Sequence, residues 1–197
     1  MATIAFATLG CRVNQYDTDS MRGLFLAEGF ADADFNDAAD VYVINTCSVT
    51  QMGEKKSRQL IRRAKKRNPK AVVVVTGCYA QLDPELLAAM EGVDAVVGTN
   101  EKKNITVIVR KLLGHEAGGT IQAVHDVMKG DEFEEIPLYP SAVEHTRADL
   151  KIQEGCNNFC TYCIIPYTRG GLKSRQPDAV IAEAQRLISY GFKELVL

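Results

Sequence analysis

The chain has 197 residues, of which 46% are hydrophobic and 24% are charged, a composition typical of a globular protein. Its 25 acidic and 23 basic residues give a net charge of −2, which excludes a chain that is basic throughout. No apolar stretch reaches the about 18 residues of a transmembrane helix, and the apolar start lacks the basic residues of a signal peptide. We therefore expect a cytoplasmic protein without a membrane segment, in which clustered cysteines are metal ligands or catalysts.

The first 114 residues alternate apolar strands with helices. Strands are predicted at residues 3–9, 40–44, 71–75 and 93–97. Helices are predicted at residues 14–29, 53–68, 83–90 and 105–113. Because nearly all-apolar strands separated by helices are typical of a parallel sheet covered on both faces, we expect a doubly wound α/β domain over residues 1–114.

The remaining residues form two different regions. Residues 115–147 are acidic and interrupted by prolines, which predicts a linker or an irregular arm. Residues 148–197 have a strand–helix–strand pattern, with strands at 148–153 and 192–197 and a helix that begins at Pro177. A unit of this size cannot close its own sheet. We therefore expect the truncated start of a second domain, and a chain that is the N-terminal piece of a longer protein.

Three cysteines lie in one short loop that follows the strand at residues 148–153. Cys156, Cys160 and Cys163 have the spacing C-x3-C-x2-C, and three thiolates so arranged can hold a small cluster of soft metal ions. Three ligands would leave one of four irons open to the amino and carboxylate groups of a substrate. The alternatives are a zinc knuckle that lacks its fourth ligand, although His145 could fold back to it, and incidental cysteines. Tyr162, inside the loop, would pack against a bound adenine or against the sheet.

The other three cysteines are far apart in sequence but occupy equivalent places. Cys11, Cys47 and Cys78 each follow the end of a predicted parallel strand, with 35 and 30 residues between them. The carboxyl ends of parallel strands meet at one edge of a sheet, where α/β folds bind ligands. We therefore expect these thiols to converge on a second iron–sulfur site, although a single cysteine in such a place is more often buried packing.

The helix predicted at residues 53–68 is strongly basic. Clustered cations of this kind either form a solvated helix face or contact the phosphate backbone of a nucleic acid. The candidate nucleic-acid contacts are Lys55, Lys56, Arg58, Arg62, Arg63, Lys65, Lys66 and Arg67. No aromatic residue interrupts the run, so base stacking is not expected there.

A few polar residues near the cysteines have two possible roles each. Asn14 would cap the first helix or line the site. Arg169, Ser174 and Arg175 would bind anions of a cofactor or substrate, or belong to a solvated turn before the last helix.

Four sequence motifs contain all six cysteines. They are TLGCRVNQYD at positions 8–17, NTCSVT at 45–50, TGCYAQ at 76–81 and EGCNNFCTYCIIPYTRG at 154–170. Together they resemble the methylthiotransferase family of radical S-adenosylmethionine enzymes. The RVN that follows Cys11 is most similar to the branch that acts on threonylcarbamoyladenosine beside the tRNA anticodon. The isopentenyladenosine branch resembles CQMN at this place, and the branch that modifies a ribosomal protein resembles CPKN.

The resemblance implies a fold and a set of cofactors. Residues 148–197 would begin a radical S-adenosylmethionine (β/α) barrel, which an RNA-binding β-barrel follows in the family. Two [4Fe–4S] clusters are implied, one bound by Cys156, Cys160 and Cys163 and carrying S-adenosylmethionine, and an auxiliary one bound by the other three cysteines. Tyr162 would contact the S-adenosylmethionine.

The resemblance also implies a reaction and its partners. Sulfur insertion and methylation would occur at C2 of the modified adenine, with a tRNA substrate, a flavodoxin-type electron donor and a sulfur donor. Because the family motifs that complete cofactor binding lie beyond residue 197, we expect this chain alone to be inactive. The alternatives are an isopentenyladenosine tRNA or a ribosomal protein as substrate, and a non-catalytic metal-binding module.

Overall fold

The computed structural model of the protein describes residues 1–48, 51–115, 118–129, 132–139 and 147–197. Its largest unit is a sheet of six strands, all parallel, in the order β2-β1-β3-β4-β5-β6. The strands are β1 (Thr3–Thr8), β2 (Ala31–Ala33), β3 (Val41–Thr46), β4 (Val72–Gly77), β5 (Ala95–Val97) and β6 (Ile121–Ala123). The strand order reverses beside β1, as in doubly wound folds.

Helices cover both faces of this sheet. They are α1 (Arg12–Ala27), α2 (Gln51–Arg67), α3 (Cys78–Leu82), α4 (Pro84–Ala88) and α5 (Ile105–Leu113), with a short 3-10 turn at Lys102–Asn104. Alternate residues of the central strands enter two separate cores. Val41 and Val43 pack with Phe25 of α1 and Val109 of α5, whereas Tyr42 and its neighbours on the other face pack with α2, α3 and α4. The predicted doubly wound α/β domain is therefore confirmed.

Two strands of the sheet were not predicted from the sequence. Both β2 and β6 have only three residues, lie at the two edges of the sheet, and come from segments without an apolar run. The prediction of a linker or irregular arm is therefore wrong at residues 121–123, and Val127, Ile136 and Leu138 farther along the arm are buried. Residues 116–117, 130–131 and 140–146 of the arm lie outside the described residues.

Residues 147–197 pack against the first domain. They contain β7 (Arg147–Asp149), β8 (Gln153–Glu154), α6 (Ile165–Arg169), β9 (Lys173–Ser174), α7 (Pro177–Ser189) and β10 (Glu194–Val196). The strand β7 pairs with β10 in parallel, with α7 between them in sequence, which is the predicted strand–helix–strand unit. The strand predicted at residues 148–153 is split, because its first half pairs with β10 and its end pairs with β9 in antiparallel fashion.

Five charged side chains are buried where the two parts meet. Asp17 of α1 accepts hydrogen bonds from the ammonium groups of Lys102 at 2.8 Å and Lys151 at 2.7 Å. Lys151 also donates to Glu154 at 3.1 Å, and Glu154 pairs with Arg169. None of the five side chains is more than 8% exposed. We call these residues the interface ion network.

The charges of the interface ion network stabilise one another. Burial alone would raise the pKa of Asp17, but Lys102, Lys151 and Arg169 together hold it well below its ordinary value. Burial alone would likewise lower the pKa of Lys151, and Asp17 and Glu154 raise it instead. Asp17, Lys151 and Arg169 therefore keep their charges at neutral pH.

No helix within the described ranges combines the length and the apolar character needed to cross a lipid bilayer.

The substitution Asp17→Asn should strongly destabilise the protein. It leaves the ammonium groups of Lys102 and Lys151 buried without their shared carboxylate, and removing one partner of a buried ion pair costs about 3–5 kcal/mol. Urea denaturation at pH 7 measures the loss. The control is Arg110→Ala, which removes an exposed pair with Glu28 and should cost no more than about 1 kcal/mol. Equal losses in the two variants would contradict the role given to the network.

The same variant should also change the response of stability to acid. A carboxyl whose pKa is lowered in the folded state stabilises the fold fully above its unfolded pKa, which is 3.8 for Asp17, and progressively less at lower pH. The difference in stability between the natural protein and Asp17→Asn should therefore be constant from pH 7 to about pH 5 and shrink below about pH 4. Denaturation curves at several pH values test this, and a constant difference down to acid pH would refute it.

Candidate cluster-binding edge of the sheet

Three cysteines lie at one edge of the parallel sheet. Cys11 and Cys47 follow the carboxyl ends of β1 and β3, and Cys78, the first residue of α3, follows β4. These three strands are direct neighbours, and their ends are in register, with Thr46 opposite Gly77. The fold thus brings together, at one edge, thiols that are far apart in the sequence. We call this edge, with Cys11, Cys47 and Cys78, the thiol edge.

Two glycines allow the close approach of the cysteine-bearing loops. Gly77 has φ +91°, and a Cβ atom there would overlap the carbonyl oxygen of Thr46. Gly10 has φ +109°, and its Cβ would lie 3.2 Å from the Sγ atom of Cys47. The sulfur of Cys47 therefore packs directly against the loop that carries Cys11.

A single side-chain amide joins two of these loops. The Nδ2 group of Asn14 donates to the carbonyl of Leu9 at 2.6 Å and to the carbonyl of Thr46 at 3.0 Å. Leu9 lies just before Cys11, and Thr46 directly precedes Cys47. The alternative that Asn14 caps the first helix is wrong, because Cys11 is the N-cap residue of α1 and Asn14 bonds across the sheet edge instead.

The third loop is tied to the second by the hydroxyl of Thr46. This group donates to the carbonyl of Thr76 at 2.5 Å and accepts from the backbone amide of Ala80 at 3.3 Å. Thr76 and Ala80 flank Cys78 in the sequence. Every loop that carries one of the three cysteines is therefore fixed by buried hydrogen bonds to its neighbour.

The donor set at this edge fits an iron–sulfur cluster. All three thiols are free, and they range from exposed at Cys11 through half-buried at Cys47 to buried at Cys78. Within the described ranges, no three His, Cys, Asp or Glu side chains lie close enough to ligate a single metal ion. In a [4Fe–4S] cluster each thiolate binds a different iron, so its ligands stand farther apart than those of one ion.

The second cysteine set lies in the loop between β8 and α6. Its start is anchored by a hydrogen bond from the amide of Cys156 to the carbonyl of Gly170 at 3.1 Å. Its end forms a turn in which the backbone amide of Cys163 donates to the carbonyl of Cys160 at 2.9 Å. Tyr162 is 90% exposed, so the alternative that its ring packs against the sheet is wrong. His145, the proposed fourth ligand of a zinc site, lies outside the described residues.

Arg169 connects the two cysteine-bearing regions. It is the last residue of α6, its side chain is 4% exposed, and its guanidinium donates both to the Oδ1 atom of Asn14 and to Glu154. Burial alone would lower the pKa of this group, but the carboxylates of Asp17 and Glu154 raise it, and the thiols of Cys78 and Cys11 add to the effect. Arg169 therefore lies within electrostatic reach of the thiol edge.

Neither Arg169 nor Arg175 lies in a solvated turn before the last helix, so that alternative is wrong for both. Arg175 is also buried, and its guanidinium binds Glu135 and Glu183. Of the three polar candidates Arg169, Ser174 and Arg175, only Ser174 is exposed. Sequence reasoning missed the acidic partners of these arginines, because the ligand of a buried cation need not be near it in the sequence.

The basic helix α2 starts at the thiol edge and runs away from it. Arg58 donates to the hydroxyl of Tyr79, the residue after Cys78, at 2.9 Å. Lys65 bonds the carbonyl of Ala71 at 2.7 Å, at the far end of the sheet. The exposed cations of this helix are Lys55, Lys56, Arg62, Arg63, Lys66 and Arg67. Of these cations only Lys55 and Lys56, in the N-terminal half of the helix, are near the cysteines.

Comparison with known proteins finds one matching family model and several similar proteins. Residues 3–98, which include Cys11, Cys47 and Cys78, match the family model described as Uncharacterized protein family UPF0004. The whole chain is 52% identical to the threonylcarbamoyladenosine tRNA methylthiotransferase MtaB of Bacillus subtilis, over 202 aligned residues. It is 45% identical to the protein of the same name from Aquifex aeolicus, over 98% of the chain.

Along nearly its whole length the chain is similar to proteins named as methylthiotransferases. It is also 37% identical, over 95% of its length, to the tRNA-2-methylthio-N(6)-dimethylallyladenosine synthase of Thermotoga petrophila. The chain spans 43% of the Bacillus protein, 47% of the Aquifex protein and 41% of the Thermotoga protein. The family resemblance of the sequence motifs is therefore confirmed, and so is their greater similarity to the threonylcarbamoyladenosine branch.

The substitution Gly77→Ala should destabilise the thiol edge of the protein. A side chain at positive φ costs about 1–2 kcal/mol, and here the added methyl group would also overlap the backbone of Thr46. The matched control is Gly29→Ala, because Gly29 also has a positive φ of +86° but nothing within 4 Å of its Cβ position. Urea denaturation should show a clearly larger loss for Gly77→Ala. Equal losses would mean that the strand ends are not as tightly apposed as described.

Proposed function

We propose that the chain carries the cluster-binding part of a tRNA methylthiotransferase that acts at C2 of N6-threonylcarbamoyladenosine next to the anticodon. The observation that carries the proposal is the connection between two three-cysteine sites through Arg169 and Asn14. A reaction that needs two iron–sulfur clusters at one substrate requires such a fixed relation between them. The preference for threonylcarbamoyladenosine rests on identities of 52% and 45% to enzymes named for it.

In this proposal each cysteine set binds one [4Fe–4S] cluster. Cys156, Cys160 and Cys163 hold the cluster with an open iron for S-adenosylmethionine, and the exposed ring of Tyr162 is free to contact its adenine. When bound, this pair supplies a 5′-deoxyadenosyl radical. Cys11, Cys47 and Cys78 hold the auxiliary cluster, and residues 148–197 form the start of the radical S-adenosylmethionine domain.

The proposal also includes the cellular context. Free thiols at both sites suit a reducing cytoplasm. A tRNA is the substrate, an electron donor of the flavodoxin type reduces the open-iron cluster, and a separate donor renews the sulfur.

The cluster assignment is tested by iron content after anaerobic reconstitution. The natural chain should bind about eight irons, and two matched triple variants should each bind about four. In one variant Cys156, Cys160 and Cys163 are changed to Ala, and in the other Cys11, Cys47 and Cys78 are changed to Ala. Addition of S-adenosylmethionine should shift the electron paramagnetic resonance signal of the natural chain and of the second variant, but not that of the first variant.

Three results would oppose this assignment. Zinc in place of iron would favour a structural metal site. A signal shift in the variant that lacks Cys156, Cys160 and Cys163 would exchange the roles of the two sites. Full iron content in either triple variant would show that its cysteines are not ligands.

We propose that the N-terminal half of α2 binds the phosphate backbone of the tRNA. The double substitution of Lys55 and Lys56 by Glu, close to the thiol edge, should weaken tRNA binding. It should also lower the slope of the salt dependence by about one for each phosphate that the helix no longer neutralises. The control, substitution of Lys66 and Arg67 by Glu, changes the net charge equally at the far end of the helix and should weaken binding less. Equal effects in a salt titration would indicate a solvated face with only general attraction.

The substrate class is decided by competition. A tRNA that carries threonylcarbamoyladenosine should compete for binding better than one that carries isopentenyladenosine, and better than a ribosomal protein. The opposite order would assign the chain to another branch of the family.

A further inference from the structure

We propose that Arg169 is a positioning residue that locks the two cysteine regions together and sets the reduction potential of a cluster at Cys11, Cys47 and Cys78 through its fixed positive charge. The second part of this inference rests on the proposed function, because it requires a cluster at that site. The first, mechanical part is the connection between the two cysteine regions, and it does not require a cluster. The second part is electrostatic.

The mechanical part follows from a short chain of contacts. Arg169 donates to the amide oxygen of Asn14, and the amide nitrogen of Asn14 holds the carbonyls of Leu9 and Thr46. Those carbonyls belong to the loops that carry Cys11 and Cys47. On its other side, Arg169 pairs with Glu154, which precedes Cys156 by two residues.

The backbone next to Arg169 completes the link. The carbonyl of Gly170, the following residue, accepts the hydrogen bond from the amide of Cys156. Two side chains, Arg169 and Asn14, thus span the distance between the cysteine regions without an intervening loop. A shift of one region is passed to the other through them.

The contact requires the shape of a guanidinium. The Nη2 atom of Arg169 binds Asn14 while the Nη1 atom binds Glu154, so the two bonds leave a planar group on two separate nitrogens. The single ammonium nitrogen of lysine is a point charge on a flexible stem and does not reproduce that fork. A lysine at this place should keep the charge but loosen the connection.

The electrostatic part follows from the position of Arg169 between buried carboxylates and the cysteine sulfurs. Within the interface ion network, Lys102, Lys151 and Arg169 face the carboxylates of Asp17 and Glu154. Glu134 lies within electrostatic reach of the two lysines, whereas Arg169 lies within reach of the sulfur atoms of Cys78 and Cys11. Water does not screen this interaction well, because the guanidinium is almost completely buried.

Net charge near a cluster is one of the determinants of its reduction potential. A one-electron reduction, with the electron supplied by the titrant, adds negative charge to the cluster. A fixed cation nearby stabilises the reduced form and raises the potential. Loss of the charge at Arg169 should therefore make the auxiliary cluster harder to reduce.

The structure offers a matched control in Arg175. It is also a buried arginine of the same interface, 5% exposed, and it binds the carboxylates of Glu135 and Glu183. Its hydrogen-bond partners do not include a residue of the cysteine loops. Replacing it removes an equal charge and a comparable amount of buried contact.

The experiment compares Arg169→Met with Arg175→Met in protein whose Cys156, Cys160 and Cys163 are replaced by Ala, so that only the auxiliary cluster is measured. A potentiometric titration followed by electron paramagnetic resonance should give Arg169→Met a lower midpoint potential. We expect at least a tenfold change in the reduction equilibrium, which is about 59 mV for one electron. Arg175→Met should match the parent protein. Equal potentials in the two variants would overturn the electrostatic part.

A second comparison tests the mechanical part in the full chain without any cluster. Arg169→Lys and Arg175→Lys both keep the charge. The hydrogen-exchange comparison therefore remains possible if a methionine variant does not fold. Hydrogen exchange of the segments around Leu9 and Thr46 should accelerate at least tenfold in Arg169→Lys and stay unchanged in Arg175→Lys. The same rate in both variants would overturn the connection.

The two comparisons separate this inference from the proposed function. A parent protein that takes up no iron would refute the cluster assignment and the electrostatic part together, while hydrogen exchange would still decide the connection. If the parent protein binds iron normally, but the Arg169 variants have the same potentials and exchange rates as the Arg175 variants, this inference alone is refuted.

Discussion

The burial of Asp17 with its three cations is the interaction on which the arrangement of the two parts of the chain depends. A carboxylate that is only 3% exposed is costly to bury unless cations meet it. Its partners come from the turn before α5, from the segment between β7 and β8, and from the end of α6. Each of these segments is therefore held against α1 by the same charge.

The thiol edge is a consequence of this arrangement as well as of the sheet. Parallel strands bring Cys11, Cys47 and Cys78 to one edge, but the strands alone leave that edge open to water. The end of α6 joins this edge to the second cysteine region by placing Arg169 over Asn14. The Oδ1 atom of Asn14 thereby finds a hydrogen-bond donor within the protein.

The sequence predicted the parts of the structure that follow from local patterns. The runs at residues 3–9, 40–44 and 71–75 are long and apolar enough to identify the central strands, and strand–helix alternation was sufficient to place three cysteines at one edge. It did not predict β2 and β6, because three residues at a sheet edge carry no periodicity.

The contacts that organise the site were beyond the reach of local rules. Asn14 stands where a helix cap is expected, but its partner Arg169 is 155 residues away, and that contact together with the two loop carbonyls determines its role. Asp17 and Lys151 are likewise separated by 134 residues. Single-sequence patterns record which residue types are present but not which distant partner each will meet.

The distance in sequence between these partners also bears on the order in which the protein takes shape. The strands that carry Cys11, Cys47 and Cys78 are complete once residue 78 has been made, whereas Arg169, which bonds to Asn14 beside them, comes 91 positions later. Domains begin to fold during synthesis, at about 5–20 residues per second. The central strands therefore exist for several seconds before Arg169 can bind Asn14, so the edge that carries the three thiols is made first and is joined to the second cysteine region afterwards.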